Sequence, residues 1–379
     1  MGVRSKIEEY FKFLMKEQST TFFDQSILGF LDGAARLYGY FVQRRFQSYA
    51  AGRRPQVALP VKVISLGNIT VGGTGKTPTA CYLANLLTEQ GYRVVLLNRG
   101  YRARLEKSVA VMSDGLQTYL SAEDGGDEPY LLAKRLPGVP IVIGKNRIAA
   151  GNFAVEHFAP DVLILDDAYQ HWPIARDLDI VLIDAANPFG NGRLLPRGIL
   201  REPLTHLDRA DLFVLSKINL TTADKISDIY ATLRKYNHKA PVIECVHQAR
   251  WCLSYRNWLE NKKQSTTCWG AQGRKVITLS ALGQPESFEN TVQLAGYVLV
   301  DTIRYADHHY YKINEIATAI EKANKSGAVI ITTEKDAVKF PVAYMQTQGD
   351  VPIYILGIEI EITKGQDVLK KICKEKLEA

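Results

Sequence analysis

In "KIEEYFKFLMK", residues 6–16, the apolar positions Ile7, Tyr10, Phe11, Leu14 and Met15 recur at helical spacing, which predicts a helix with one apolar stripe. The next stretch, "FFDQSILGFLDGAARLYGYFVQRRF", is dense in aromatic and aliphatic residues, and Arg44, Arg45, Arg53 and Arg54 follow along its end. An apolar helical face bounded by arginines suits a helix lying in a membrane interface. A helix packed on its own domain would carry the same stripe. From residue 61 the pattern changes to short, nearly continuous apolar runs: "VKVISLGN", "RVVLLNRG", "VPIVIG", "DVLILDD", "DIVLIDA" and "DLFVLSK". Runs of this kind read as strands buried on both faces. The helical patterns between them predict βαβ crossovers and a parallel sheet. This α/β block ends near residue 218. Residues 220–275 are more polar and irregular, including "ENKKQSTTCWGAQGRK", and read as a hinge or linker around an exposed loop. A second set of runs, "KVITLSAL", "GYVLVD", "GAVIITTEKD" and "PIYILGIEI", predicts a smaller α/β lobe. The expected division is therefore N-terminal helices over 1–55, a sheet core over 56–220, a hinge over 221–275 and the smaller lobe over 276–379.

Composition narrows the class. With 46% hydrophobic and 23% charged residues, the chain can bury a globular core. A net charge of +7 favours acidic partners, whether nucleic acid, an anionic membrane surface or a phosphorylated substrate. The basic residues are scattered and no aromatic-basic platform stands out, so nucleic acid is not expected. The five cysteines form no C-x-x-C pair; neither a disulfide framework nor a zinc site is expected, and a reducing cytoplasm fits better. No apolar run reaches the length of a spanning helix, and the N-terminus lacks the compact apolar core of a signal peptide.

The chemistry centres on "GNITVGGTGKTP", residues 67–78. It follows a buried strand and precedes a helical pattern, "TPTACYLANLLTEQG", that closes at Gly91. Strand, glycine-rich loop and helix N-terminus are the context of a phosphate-binding loop. The usual pattern is G-x-x-x-x-G-K-[ST], and here Thr70 stands where its first glycine would be. Val71, Gly72, Gly73, Thr74 and Gly75 continue the loop, with Gly72 and Gly73 supplying the missing freedom. Backbone N–H groups over 72–77 would surround nucleotide phosphates, aided by the positive helix end. Lys76 would neutralise phosphate charge and the Thr77 hydroxyl would bind Mg²⁺. Pro78 falls in the first turn, where its missing N–H costs little. Downstream, "DVLILDD" ends a buried run on Asp166 and Asp167, which suits a carboxylate holding that metal directly or through water.

Transfer of a phosphoryl group to a hydroxyl benefits from a base beside the acceptor. "EDGGDEP" offers Asp127 and Glu128, with helix N-capping as the ordinary alternative for Asp127. "RYADHHYY" offers Asp307, His308 and His309, where a histidine would orient a carboxylate or act as base. Arg99 and Arg102 in "NRGYR" and Arg201 in "LREP" would bind phosphate oxygens or form surface ion pairs.

Together these motifs resemble the tetraacyldisaccharide 4'-kinase family of lipid A biosynthesis. The glycine-poor loop matches that family's form. "RGYR", "GDEP", "LDDAYQH", "GNGRLLPRGILREP", "ADHH" and "TTEKDAVKF" follow in the family's order across roughly residues 22–340. The resemblance implies a P-loop core and a smaller C-terminal lobe, joined through a hinge with a β-ribbon. It implies transfer of the γ-phosphate of ATP, with Mg²⁺, to the 4'-hydroxyl of tetraacyldisaccharide 1-phosphate, giving lipid IVA. By motif, Asp127 would be the base and His308 would raise its basicity, with lobe closure bringing the two together. Thr77, Asp166 and Asp167 would serve Mg²⁺, and Arg201 and Glu202 would lie near the nucleotide or metal. A lipid with four acyl chains leaves a bilayer at about 0.8 kcal/mol per CH₂. The enzyme would therefore sit peripherally on the cytoplasmic face of a Gram-negative inner membrane through its N-terminal helices, with no obligate protein partner. The sequence departs from the family at Asn98, Ala168, Tyr169, Trp172, Arg197 and Ile199, none a proposed phosphate or metal ligand.

Two other classes share some of these features. A kinase for a soluble small molecule would keep the loop and "LDD" but give the N-terminal helices no role. A P-loop switch or partitioning ATPase would hydrolyse nucleotide without an acceptor; "LSKIN", residues 215–219, faintly resembles a guanine-reading motif but lacks its first Asn and last Asp.

Overall fold

The computed structural model describes residues 21–261, 273–347 and 351–378, so the helix expected over 6–16 and the tip of the loop at 262–272 lie outside them. The first described element is the helix Phe22–Ala50, started by Thr21, whose hydroxyl accepts the backbone N–H of Asp24. Of its side chains Asp24, Leu31 and Ala35 are buried, while Phe22, Phe23, Phe30, Leu37, Tyr40 and Phe41 stay largely exposed. No helix among the described residues is long and apolar enough to cross a membrane.

Twelve strands follow among the described residues: β1 (Lys62–Asn68), β2 (Val94–Asn98), β3 (Ala110–Ser113), β4 (Ile141–Ile143), β5 (Val162–Asp166), β6 (Leu178–Asp184), β7 (Leu212–Ser216), β8 (Val242–Ser254), β9 (Lys275–Ser280), β10 (Val298–Arg304), β11 (Val329–Thr333) and β12 (Ile353–Lys364). The chain divides into two compact units, each assembled from separated segments. One takes the segment ending at Lys76, residues 155–246 and the segment from Ile362; the other takes 77–154 and 247–361.

In the first unit β1 lies between β5 and β6, parallel to both, with Leu66 opposite Asp166 on one side and Ile180 on the other. β7 and the start of β8 extend the same parallel array. The fully buried runs of β1, β5, β6 and β7 are the reason the sequence shows continuous rather than alternating apolar residues. Parallel strands bring their carboxyl ends to one edge, and there Asn68, Asp166, Asp184 and Ser216 end β1, β5, β6 and β7. Ile69, Tyr169, Val181, Phe213 and Leu215 form a core on which Ile229 and Leu233 of the helix Ala223–Tyr236 pack.

In the second unit β2 pairs parallel with β4 and β3 antiparallel with β4. β9 pairs parallel with β10 and β11, and β11 with β12. Trp251 of β8 lies across Gly357 of β12 so closely that a Cβ there would meet the indole.

Two strands escape the hydrophobic pattern. β3 is four residues long and half buried. β8 lies in the polar stretch read as irregular, which carries a helix at Ala223–Tyr236 and a 13-residue strand. In β8, Glu244, His247, Gln248 and Arg250 interrupt the apolar positions, so no continuous apolar run marks the strand.

Candidate active site

The loop after β1 is held from three directions. Gly72 (φ 116°) and Gly75 (φ 91°) take the left-handed backbone that only glycine adopts freely, whereas Gly73 has no positive φ. The Asn68 side chain, on the strand end, donates to the hydroxyls of Thr70 (3.3 Å) and Thr74 (3.1 Å). On one flank Val71 N–H donates to the carbonyl of Ile199, and Arg201 N–H to that of Ile69, so the "GILREP" segment pairs with the loop's own backbone. On the other flank Ser216 Oγ donates to the Thr74 carbonyl at 2.8 Å. Lys217 Nζ donates to the Gly73 carbonyl and to Asp184, each at 2.6 Å. Val71, Gly72 and Gly73 face solvent. The helix that follows begins at Lys76 and runs to Glu89.

Lys76 donates to Asn68 Oδ1 at 3.4 Å and pairs with Asp167 at 3.6 Å. Asp167 stands at a left-handed φ of 49° and also receives Arg201 at 2.8 Å. Asp166, one residue earlier and 2% exposed, ends β5. The two acidic residues are therefore distinct in environment: Asp166 is buried at the strand end, and Asp167 is gripped by two cations. Glu202, 0% exposed, accepts two bonds from Arg209 (2.8 and 2.9 Å) and one from Gln170 (2.6 Å), with His206 Nδ1 at 2.8 Å. Burial pushes its carboxyl up, and the bonds and charges of His206 and Arg209 outweigh that and hold it below the ordinary value. It ties the "LREP" segment to the body of the unit. Arg201 and His206 are tied in turn to the helix Phe22–Ala50. Tyr38 donates to the Arg201 carbonyl at 2.8 Å, and Gln43 lies 2.7 Å from His206 Nε2.

Two departures from the family pattern have partners here. The Tyr169 hydroxyl donates to the His206 carbonyl, and Trp172 packs on Phe46 of the N-terminal helix. Lys217, which the sequence offered only within "LSKIN", is a buried support of the loop; its signal was a lysine just past a buried strand. Thr77, Asp166 and Asp167 are hard oxygen donors, the kind Mg²⁺ takes. Among the described residues no group of three or more His, Cys, Asp and Glu side chains is arranged to hold a metal alone. A metal at this loop would share its coordination with phosphate oxygens, which is how Mg²⁺ is held beside a nucleotide.

The second unit brings together three motifs far apart in sequence. Gly126 (φ 101°) occupies the N-cap of the helix Asp127–Arg135, which leaves Asp127 as the first helical residue rather than the cap. Asp127 is 6% exposed and its Oδ2 lies 3.1 Å from Nδ1 of His308. His308 holds a left-handed φ of 64°, a strained conformation for a residue with a Cβ, which the surrounding structure has to enforce. Burial pushes the Asp127 carboxyl up; the hydrogen bond from His308 and the charges of Lys335 and Lys339 outweigh burial and hold it below its ordinary value. Asp127 is thus held as a carboxylate at neutral pH, and His308 lowers its basicity rather than raising it as the motif resemblance implied, because the bond stabilises the charged form. His309 turns elsewhere, to Glu315 at 2.8 Å, with its ring stacked on Tyr305. Tyr101 stands edge-on to His308 with centroids 6.0 Å apart, and Arg99 and Arg102 lie over the Tyr101 ring. Arg99 also pairs with Glu106 at 2.9 Å. Glu128 pairs with Lys335 at 3.4 Å.

A glycine-rich loop at the carboxyl edge of a parallel sheet, with a lysine opening the next helix and an acidic strand end beside it, defines a P-loop protein of the nucleotide-binding α/β class. The second unit carries, separately, a buried carboxylate paired with a histidine. The chain belongs to the tetraacyldisaccharide-1-P 4'-kinase (LpxK) family, whose model matches residues 28–378. It is 37% identical to the tetraacyldisaccharide 4'-kinase of Halothermothrix orenii over 98% of this chain and 99% of that one. It is 39% identical to that of Anaeromyxobacter dehalogenans strain 2CP-C over 85% and 83%. Among solved structures it resembles LpxK from Aquifex aeolicus in complex with ATP, with 30% identity and a TM-score of 0.71 over 93% of this chain and 99% of that one.

Proposed function

We propose that this chain transfers the γ-phosphate of ATP to the 4'-hydroxyl of tetraacyldisaccharide 1-phosphate, giving lipid IVA. The observation that carries the reading is the match to the tetraacyldisaccharide-1-P 4'-kinase family over residues 28–378, and the Asp127–His308 pair, 3.1 Å apart, supplies the base that an acceptor hydroxyl needs. Family membership supports the same substrate class.

The acceptor oxygen bonds to the γ-phosphorus as the bond to the β–γ bridging oxygen breaks, and ADP leaves with that electron pair. The hydroxyl proton passes to the Asp127 carboxylate. His308, through Nδ1, holds that carboxylate in one orientation and stabilises its charge. The N–H groups of residues 72–77 hold the phosphates, and Lys76 exchanges Asp167 for phosphate oxygens when ATP enters. Arg201 keeps Asp167 oriented during that exchange. Mg²⁺, when bound, neutralises charge on the β- and γ-phosphates, and Thr77 with Asp166, assisted by Asp167, would hold it. Arg99, Arg102 and Glu128, grouped around the acceptor pair, are the polar groups available to the phosphorylated sugar.

The enzyme works peripherally at the cytoplasmic face of a Gram-negative inner membrane. The exposed Phe22, Phe23, Phe30, Leu37 and Phe41 support this, since side chains of that size reach the interface at little cost. Replacing Phe30 and Phe41 by Asp is expected to reduce sedimentation with anionic vesicles several-fold; undiminished sedimentation removes the helix from the proposal.

The deciding experiment supplies γ-³²P-ATP, Mg²⁺ and tetraacyldisaccharide 1-phosphate in detergent micelles. Labelled bis-phosphorylated lipid, absent with Lys76→Ala, is the expected result. Free phosphate without labelled lipid would overturn the kinase reading in favour of a hydrolytic switch.

A further inference from the structure

Lys335 stands in "TTEKDAVKF", a motif that neither the nucleotide loop nor the acceptor pair uses. It follows β11 on a helical turn, Glu334–Ala337, that is fixed at its start. The Thr333 hydroxyl accepts the N–H of Asp336 at 3.1 Å and donates to its carboxylate at 2.7 Å. Asp336 is fully buried and receives Ala281 N–H, the Tyr311 hydroxyl and Lys339. Its neighbour Glu334 is bonded by Arg135, which also donates to the Ile358 carbonyl. The turn has little freedom to move.

From this turn the Lys335 ammonium, 24% exposed, reaches Glu128 at 3.4 Å and Asp307 at 3.8 Å. Glu128 is the residue after Asp127, and Asp307 is the residue before His308. Each anion that Lys335 holds is thus covalently adjacent to one member of the acceptor pair. That bridge ties the His308 loop to the start of the Asp127 helix independently of the Asp127–His308 bond itself.

We infer that Lys335 is a positioning residue for phosphoryl transfer: by clamping Glu128 and Asp307 from a rigid turn, it sets the separation and orientation of Asp127 and His308. The inference rests on the reading of that pair as the acceptor base. Lys335 acts through the backbone of its two partners, Glu128 and Asp307. Its charge has a second effect. The charged and titratable groups facing Asp127 are His308, Lys335 and Lys339, with Tyr310 close enough to feel its charge and that of Glu123. Those acting on Lys335 are Glu128, Asp307, Asp127 and Asp336. Removing Lys335 takes one of the cations from Asp127 and leaves Glu128 and Asp307 uncompensated nearby, so the Asp127 carboxyl rises.

The test compares full-length wild type, Asp127→Asn, Lys335→Met, Lys335→Arg and Asp307→Asn in the lipid phosphorylation assay, each across pH. Lys335→Met is expected to lower kcat roughly 100-fold, the scale of a misplacement near 1 Å, with the KM for ATP unchanged. Its acid limb should move up by about one pH unit, the low end of what a nearby charge does to a carboxylate. Lys335→Arg should recover most of the rate and the original limb. Asp307→Asn should lower kcat less, with the KM for ATP again unchanged. A purely structural lysine would lower the amount of folded enzyme without moving the limb. Wild-type kcat and limb in Lys335→Met overturn the inference while Asp127→Asn keeps its own loss of kcat. Should Lys335→Met lose ATP binding and so report on folding, normal kcat in Asp307→Asn would overturn it instead. A wild-type kcat in Asp127→Asn removes the base reading itself.

Discussion

From Gly67 to Lys76 the phosphate loop is one uninterrupted stretch of chain, whereas Asp127 and His308 meet across 181 residues. The loop's requirements are backbone requirements. A strand must end, two glycines must turn left-handed, and a helix must begin at Lys76; each step depends on neighbours within a few residues. The acceptor pair has no such local code. Its carboxylate is placed by a glycine N-cap, its histidine by a strained loop and, on the inference above, both by a lysine from a third segment. A site written in contiguous backbone tolerates few changes anywhere along it. A site assembled from three segments is degraded in stages, according to which segment is loosened.

That contrast is testable in order of expected effect. Lys76→Ala should cut turnover about 10³-fold, the upper range for removing one preorganised charge from a transition state, and should weaken ATP binding as well. Filter binding with labelled ATP checks the second part, and unaltered turnover would end the nucleotide assignment. Lys217→Met probes whether the loop is held as firmly from below as its bonds suggest. It leaves Asp184 buried with only the Ala186 N–H, and breaking such a pair costs about 3–5 kcal/mol, read as a fall in thermal stability. A loss under 1 kcal/mol would mean that the loop supports itself. Asp127→Asn should lower kcat about 100-fold, the lower range for general-base catalysis, while ATP affinity stays at the wild-type value. Reduced ATP affinity at normal kcat would make Asp127 a ligand. His308→Asn should cost about tenfold, and the double variant should be no worse than Asp127→Asn alone, because the two side chains act as one unit. Additive losses would separate their roles.

Much of this was legible beforehand, for identifiable reasons. The strands buried on both faces announced themselves as apolar runs; β1, β5 and β7 lie within the segments those runs marked, and β6 begins one residue before its own. β8 did not, because Glu244, His247, Gln248 and Arg250 break the apolar run within Val242–Ser254. Lys76, Asp166 and Asp127 were visible as motif positions, and the motif resemblance paired His308 with Asp127, whereas the Asn68 and Asp167 partners of Lys76 were not foreseen. Glu202 looked like a group for the nucleotide or metal, and it is fully buried between His206, Arg209 and Gln170. The two histidines of "ADHH" were equivalent in sequence. Only His308 turns to Asp127, because a left-handed residue reverses the direction of its side chain relative to its neighbour. Lys217 carried no signal beyond a lysine after an apolar run, and Lys335 stood in a motif to which no role was attached.

By itself the sequence determined the parallel α/β class, the phosphate loop with Lys76 at a helix start, and the family through the order of its motifs. These depend on periodicity and on backbone geometry, both set by residues a few positions apart. Only the tertiary structure decided that each compact unit is built from non-contiguous segments, that Asp166 is buried while Asp167 pairs with Lys76 and Arg201, and that Lys335 reaches the neighbours of both Asp127 and His308. Charged side chains find their partners through space, and nothing within a few residues of a lysine specifies which distant carboxylate the fold will bring to it.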